Sequence, residues 1–348
     1  MSIIVIVPLL LSGREDLGFI TIAVLAWAQS LVNYSHFMAS YRIIYRDRAM
    51  IRRHPWAAIW VPLILLAAAV LALVLVPTTE LPLLLFFVVG SAYLAWHYTG
   101  QVWGMMASFA WLDGLRFEPG ERRLIRASLR ILLAWHVAWF LQLWLSKTPA
   151  VSLVSLSGAA YRLVSYAAFG AFALGAIGIA RVRLRTGRFP PLRALTAWLA
   201  IFVWYVALWR WGLPGLFLVQ LAHALQYLEF PARVELNRAT GRAATRTARH
   251  MALYAVGILL ASFLVVLAVP GPAMSMVSDF LGVTPNGAAS VLVLYFINIH
   301  HYFTDGVVWK LSNPEVRKEL FAHVQRPALN PVPVVAQLNQ SSRQGSGR

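Results

Sequence analysis

Nine stretches of largely apolar residues run through this chain, near 17–41, 57–76, 81–112, 127–146, 153–180, 194–212, 215–232, 251–270 and 287–309. A helix needs about 20 such residues to cross a bilayer. No soluble core absorbs that many: 59% of the chain is apolar and only 12% is charged, against about 25% charged in a soluble domain. Inside lipid each backbone polar group must be satisfied within its own segment, which favours helices. The expected fold is therefore all-α, a polytopic membrane helix bundle of about nine spans. The Gly212-Leu213-Pro214-Gly215 turn is too short for anything but a helical hairpin between the sixth and seventh spans.

The cations test this span list. Arg42, Arg46, Arg48, Arg52 and Arg53 follow the first span, and similar clusters surround Arg116–Arg130, Arg181–Arg193, Arg233–Arg249 and Lys310–Arg326. The connections near Pro77–Glu80, Lys147–Ala150 and Gly271–Gly287 carry almost none. Every second connection is basic, as nine spans require, and basic loops stay in the cytoplasm. This puts the N-terminus outside and the C-terminus inside, in a bacterial-type inner (plasma) membrane. The net charge of +17 then serves orientation and anionic lipid; no nucleic-acid partner is expected, since no basic patch with interleaved aromatics stands apart from the helix ends. Arg162, near the outer end of the fifth span, reads as a snorkelling side chain.

Three regions follow. Residues 1–16 form an apolar leader or interfacial segment, lacking the basic start of a signal peptide. Residues 17–309 form one transmembrane domain. Residues 310–348 form a cytoplasmic tail, disordered from about Pro327, where Pro, Gln, Ser and Arg dominate.

Nine histidines are present. His54, His250 and His323 lie in basic segments and read as solvated. His36, His97, His136, His223, His300 and His301 lie within spans, where ionisable groups are costly and face a cavity or the bundle interior. Counted from the basic ends, His36, His97, His223 and His301 fall in one layer of the cytoplasmic half, on spans one, three, seven and nine, which run the same way. Taken singly, each histidine is an ordinary interhelical hydrogen-bond partner; their coincidence at one depth points to a shared metal site.

Residues at i and i+4 share a helix face, which pairs His97 with Gln101 and His301 with Asp305. Asn298 lies three before His301. Gln220, His223, Gln226 and Glu229 recur at spacing three. The expected metal ligands are His36, His97, His223, His300 and His301, with one of the adjacent His300 and His301 free for a structural role because their side chains diverge by about 100°. Gln101, Gln226, Asn298 and His136 are candidates to orient the ligand rings. Asp305 and Glu229 are the candidate catalytic carboxylates, able to orient ligands, shuttle protons or ligate. With no cysteine in the chain, nitrogen and oxygen ligation suits iron, manganese, copper or zinc. The aromatics flanking these histidines, among them Trp96, Tyr227, Tyr302 and Trp309, suit an apolar pocket as well as plain packing.

The Tyr34-Ser35-His36 element and His97 resemble the early histidines of the Brp/Blh-type membrane carotenoid-cleaving dioxygenases. The later part departs from that family, which carries two histidines one turn apart in one helix; here His223 is followed by Gln226 and Tyr227, and His300 and His301 come much later. The resemblance implies non-haem iron and oxygen-dependent conversion of a lipophilic small molecule drawn from membrane lipid. Two other functions fit the same residues: a transmembrane haem protein with axial histidine pairs, and a proton-coupled transporter using His, Asp and Glu as a relay.

Overall fold

In a computed structural model, residues 2–13, 18–46, 48–79, 81–145, 151–239, 243–268, 285–310 and 313–322 are described. Among them there are helices and no strand. The elements are α1 (Ser2–Leu11), α2 (Phe19–Ile44), α3 (Arg48–Arg53), a π-helical turn (Trp56–Trp60), α4 (Val61–Leu75), α5 (Leu81–Leu112), α6 (Pro119–Leu145), α7 (Val151–Thr186), α8 (Leu192–Trp211), α9 (Leu213–Ala239), α10 (Ala244–Ala268), α11 (Pro285–Val308) and α12 (Pro314–Leu320).

Each expected span coincides with a helix, and 81–112 coincides end to end. Six spans, on α4 to α8 and α10, are long and apolar enough to cross a membrane. The remaining long helices, α2, α9 and α11, have the length but carry polar side chains along their buried faces. The outer faces of the bundle are strongly apolar. Val74 on α4 is 68% exposed, Phe169 on α7 79% and Leu264 on α10 65%. Apolar surface on this scale is unusual for a protein in water and is compatible with a multi-pass membrane protein.

α11 sits centrally, packed on α2, α4 and α5; α2 also packs on α9 and α10, and α6 and α7 form the most extensive pair. Gly90 permits a close approach of helices and Gly212 a turn between them. A Cβ on Gly90 of α5 would collide with the Tyr295 ring of α11. Gly212, at φ 61° and ψ −128°, adopts a positive-φ conformation open to glycine, which ends α8 and turns the chain into α9.

Buried Glu235 on α9 ties helices together at the basic end. It accepts from Arg42 of α2 at 3.3 Å and from His250 of α10 at 2.9 Å. Both chain ends add a helix to the bundle. The leader forms α1, which packs on α8 and α9 with Ile6 fully buried, because its apolar face finds the bundle. The tail begins with α12, fastened by Asn237 Nδ2 donating to the carbonyls of Glu319 and Leu320 at 2.7 and 3.0 Å. The connections 147–150 and 271–284, and the tail from His323 onward, lie outside the described residues.

Candidate metal centre

Four helices each bring a histidine to one place in the bundle interior. α2 supplies His36, α5 His97, α9 His223, and α11 His301 followed one turn later by Asp305. All are buried. The ring centroids of His36 and His301 are 4.3 Å apart, those of His36 and His223 5.0 Å, and those of His97 and His301 5.2 Å. One ligand atom from each of His36, His97, His301 and Asp305 lies within 4.8 Å of the others. His223 adjoins this group, its Nε2 3.1 Å from Nε2 of His97. Asp305 Oδ2 faces the imidazoles, 3.3 Å from His301 Nε2 and 3.8 Å from His97 Nε2.

The surroundings fix these groups. Asn33 Oδ1 lies 3.3 Å from Nδ1 of His36 and accepts its proton, which turns the Nε2 lone pair toward the other histidines. Asp305 Oδ1 accepts from Ser40 at 2.7 Å and from Tyr227 at 2.6 Å, leaving Oδ2 for the centre. Tyr227 also contacts Ser40, and Trp309 Nε1 donates to the Tyr227 oxygen.

These residues fit a cation. His36 Nε2 and His223 Nδ1 are buried with no hydrogen-bond partner, and leaving a buried polar atom unpaired costs about 1–3 kcal/mol. Imidazole lone pairs converging on a carboxylate give up that cost to a bound ion. Bonds of about 2.0–2.2 Å place neighbouring ligand atoms nearer than 4.8 Å, a contraction that side-chain rotation can supply. Three histidines and an aspartate here could hold a metal ion, and imidazole with carboxylate leaves its identity open among iron, zinc, copper and manganese.

The centre lies between two cavities. One, of about 40 Å³, is flanked by Gln29, Asn33, Gln220 and Asn298. The other, of about 490 Å³, reaches His97 and Asp305 on the opposite side and is rich in aromatic rings, among them Trp96, Tyr227, Phe230 and Trp309.

Several expected residues stand elsewhere. His300 is turned away from the group, and the π-helical turn explains its place. Val61 N bonds to the oxygen of Trp56 rather than that of Ala57, and Pro62 has no N–H to give. The carbonyls of Ala57 and Ala58 are thereby released from the helix. His300 Nε2 donates to Ala57 O at 3.0 Å and Tyr45 to Ala58 O at 2.8 Å. His300 is thus placed as a helix-to-helix tie and not among the clustered ligand atoms.

Glu229 is exposed, which corrects its expected place beside the histidines. A spacing of three turns back by about 60° per step, so two steps from His223 carry Glu229 off the buried face; Tyr227, at i+4, keeps it. Asn298 is engaged within its own helix, donating to Leu294 O at 2.8 Å and accepting from Tyr302 at 3.1 Å. His136 is fully buried but apart, between the rings of Phe140 at 4.9 Å and Tyr205 at 5.5 Å. Gln101 lines the large cavity one turn from His97. Gln226 is half-buried on α9.

No family model, curated protein or solved structure matches this chain. The reading of the centre therefore stands on its chemistry.

Ser40 does not stand out in the sequence, and Tyr227 and Trp309 stand out there only as flanking pocket aromatics, not as polar groups behind Asp305. Each sits at i+4 from a residue singled out, respectively His36, His223 and Asp305. The one-turn rule that paired His301 with Asp305 reaches all three when applied to every candidate.

Proposed function

We propose that this chain is an integral membrane oxidoreductase with nine spans, N-terminus outside and C-terminus cytoplasmic. His36, His97, His301 and Asp305 would hold a non-haem iron, with His223 at its edge. The observation that carries this reading is the group of three imidazoles and one carboxylate whose ligand atoms all lie within 4.8 Å. Such a ligand set leaves coordination positions open, and iron bound there would supply dioxygen activation. The substrate is lipophilic, because the cavity that reaches His97 and Asp305 is rich in aromatic rings.

The chain's own groups have separable tasks. Asn33 sets the His36 tautomer. Ser40 and Tyr227 orient Asp305, and the Tyr227 hydroxyl holds a proton 2.6 Å from the carboxylate. The aromatic wall excludes water and accepts an apolar molecule.

Haem is the second reading of the histidines. The rings crowd one another at 4.3–5.2 Å between centroids, which favours a bare ion over a flat macrocycle. Detergent-purified protein tests the choice through its absorption spectrum and metal content. About one iron per chain without a Soret band is expected; a Soret band would select haem, and no stoichiometric metal would defeat both readings.

A further inference from the structure

The 490 Å³ cavity has a shape and a polarity gradient that name a ligand class. Its volume lies within the roughly 300–1,000 Å³ of ordinary ligand sites. Its lining follows one face of α5 from Tyr93 to Ser108, about 22 Å at 1.5 Å per residue. That length along a single helix face makes an elongated channel, partly open at the surface, suited to an extended chain. Gly100, Gly104 and Gly306 line it, and a Cβ on any of them would meet no atom within 4 Å. The missing side chains keep the channel open. Trp56 and Trp96, both more than half exposed, stand on its outer side, where lipid would lie.

The two ends differ. Tyr93 and Trp96 form an end without charge, whereas Lys310 lines the basic end. The field there is positive: burial together with Arg53 and Lys310 holds the nearby His54 below the ordinary histidine range. The neighbouring carboxylate of Glu319 is taken up by Arg46 at 3.3 Å and Arg238 at 2.6 Å. Midway, the Gln101 amide is buried with neither its nitrogen nor its oxygen partnered, one turn from His97.

We infer that this channel binds a single-chain anionic amphiphile, its carboxylate or phosphate at Lys310 and its apolar chain along the glycine face of α5 past His97 and Asp305. The position presented to the histidine group is then an internal carbon of the chain. Gln101 is placed to hydrogen-bond an oxygen carried near that carbon. This deepens the proposed function by naming a substrate class, but binding does not depend on the metal.

The test uses the full chain in detergent and cis-parinaric acid, a long-chain polyene carboxylic acid whose fluorescence is excited by energy transfer from nearby tryptophan. Saturable transfer is expected in wild type, with or without added metal. Gly104→Leu, whose Cβ meets no atom within 4 Å and whose side chain adds bulk to the channel lining, should weaken binding about tenfold or more with helicity and Tm kept. Gly104→Ala should bind as wild type. Lys310→Gln should weaken binding about threefold, the scale of one exposed ion pair. Palmitate and lysophosphatidate should both displace the probe, the tighter one naming the head group, and hexadecanol should compete less well than either. Wild-type affinity in folded Gly104→Leu, or hexadecanol competing as well as palmitate, would overturn the inference. Metal content measured on the same samples separates this failure from failure of the metal site.

Discussion

Two buried regions on either side of Tyr98 hold histidines in different ways. The Tyr98 ring is 4.6 Å from that of His223 and 6.1 Å from that of His136. On the His136 side, α6 packs its imidazole among rings, with both nitrogens buried and unpartnered. On the other side, four imidazoles crowd together, two of them, His97 and His301, face the Asp305 carboxylate, and Asn33, Ser40, Tyr227 and Trp309 form a layer of donors and acceptors behind them. Burial is common to both regions. A carboxylate and an orienting layer are found only on one, and this separates a candidate centre from a histidine packed as an aromatic. Partly satisfied polar networks are costly; on the elaborate side a bound cation could complete the network, while the simple side costs one imidazole.

Substitutions break this contrast in graded steps. Asp305→Ala or His97→Ala should abolish stoichiometric metal, read by elemental analysis of purified protein, because each removes a ligand atom from the group. Tyr227→Phe keeps every ligand but removes a donor to Asp305; metal affinity should fall about ten- to a hundredfold, read by competition with a chelator. His300→Ala should leave metal content intact and lower stability by about 1–3 kcal/mol, since the Ala57 carbonyl loses its partner; thermal unfolding in detergent checks this. His136→Leu should leave metal untouched and shift stability by less than about 1 kcal/mol, because an unpartnered polar ring is exchanged for an apolar group of similar size. Metal loss in His136→Leu matching that in Asp305→Ala would erase the distinction between the two regions.

Much of the architecture was legible in the sequence, because long apolar runs and alternating basic loops are local signals. The helix over Leu81–Leu112 begins and ends where the apolar run does. His36, His97 and His301 are found together, and rise per residue, which converts sequence position into height along a helix, is what made that grouping readable. Rotation was harder to read. His300 and His301 share a height, and only the freed carbonyls of the π-helical turn decide which faces the group. Glu229 looked aligned because three-residue spacing resembles a helical stripe while drifting off it. Glu235, buried among Arg42 of α2, Arg238 of α9 and His250 of α10, gave no signal, as its partners on α2 and α10 meet it only through tertiary packing. The polar faces of α2, α9 and α11 set them apart from the six plainly apolar spans, and these faces meet His97 of α5, itself one of the six, at the candidate centre.

Elemental analysis of the purified wild-type chain beside Asp305→Ala tests the central claim most directly. The account predicts about one metal ion per wild-type chain, and none in the variant while its helicity is kept. A metal-free wild type, or a variant that retains its full complement, would contradict it.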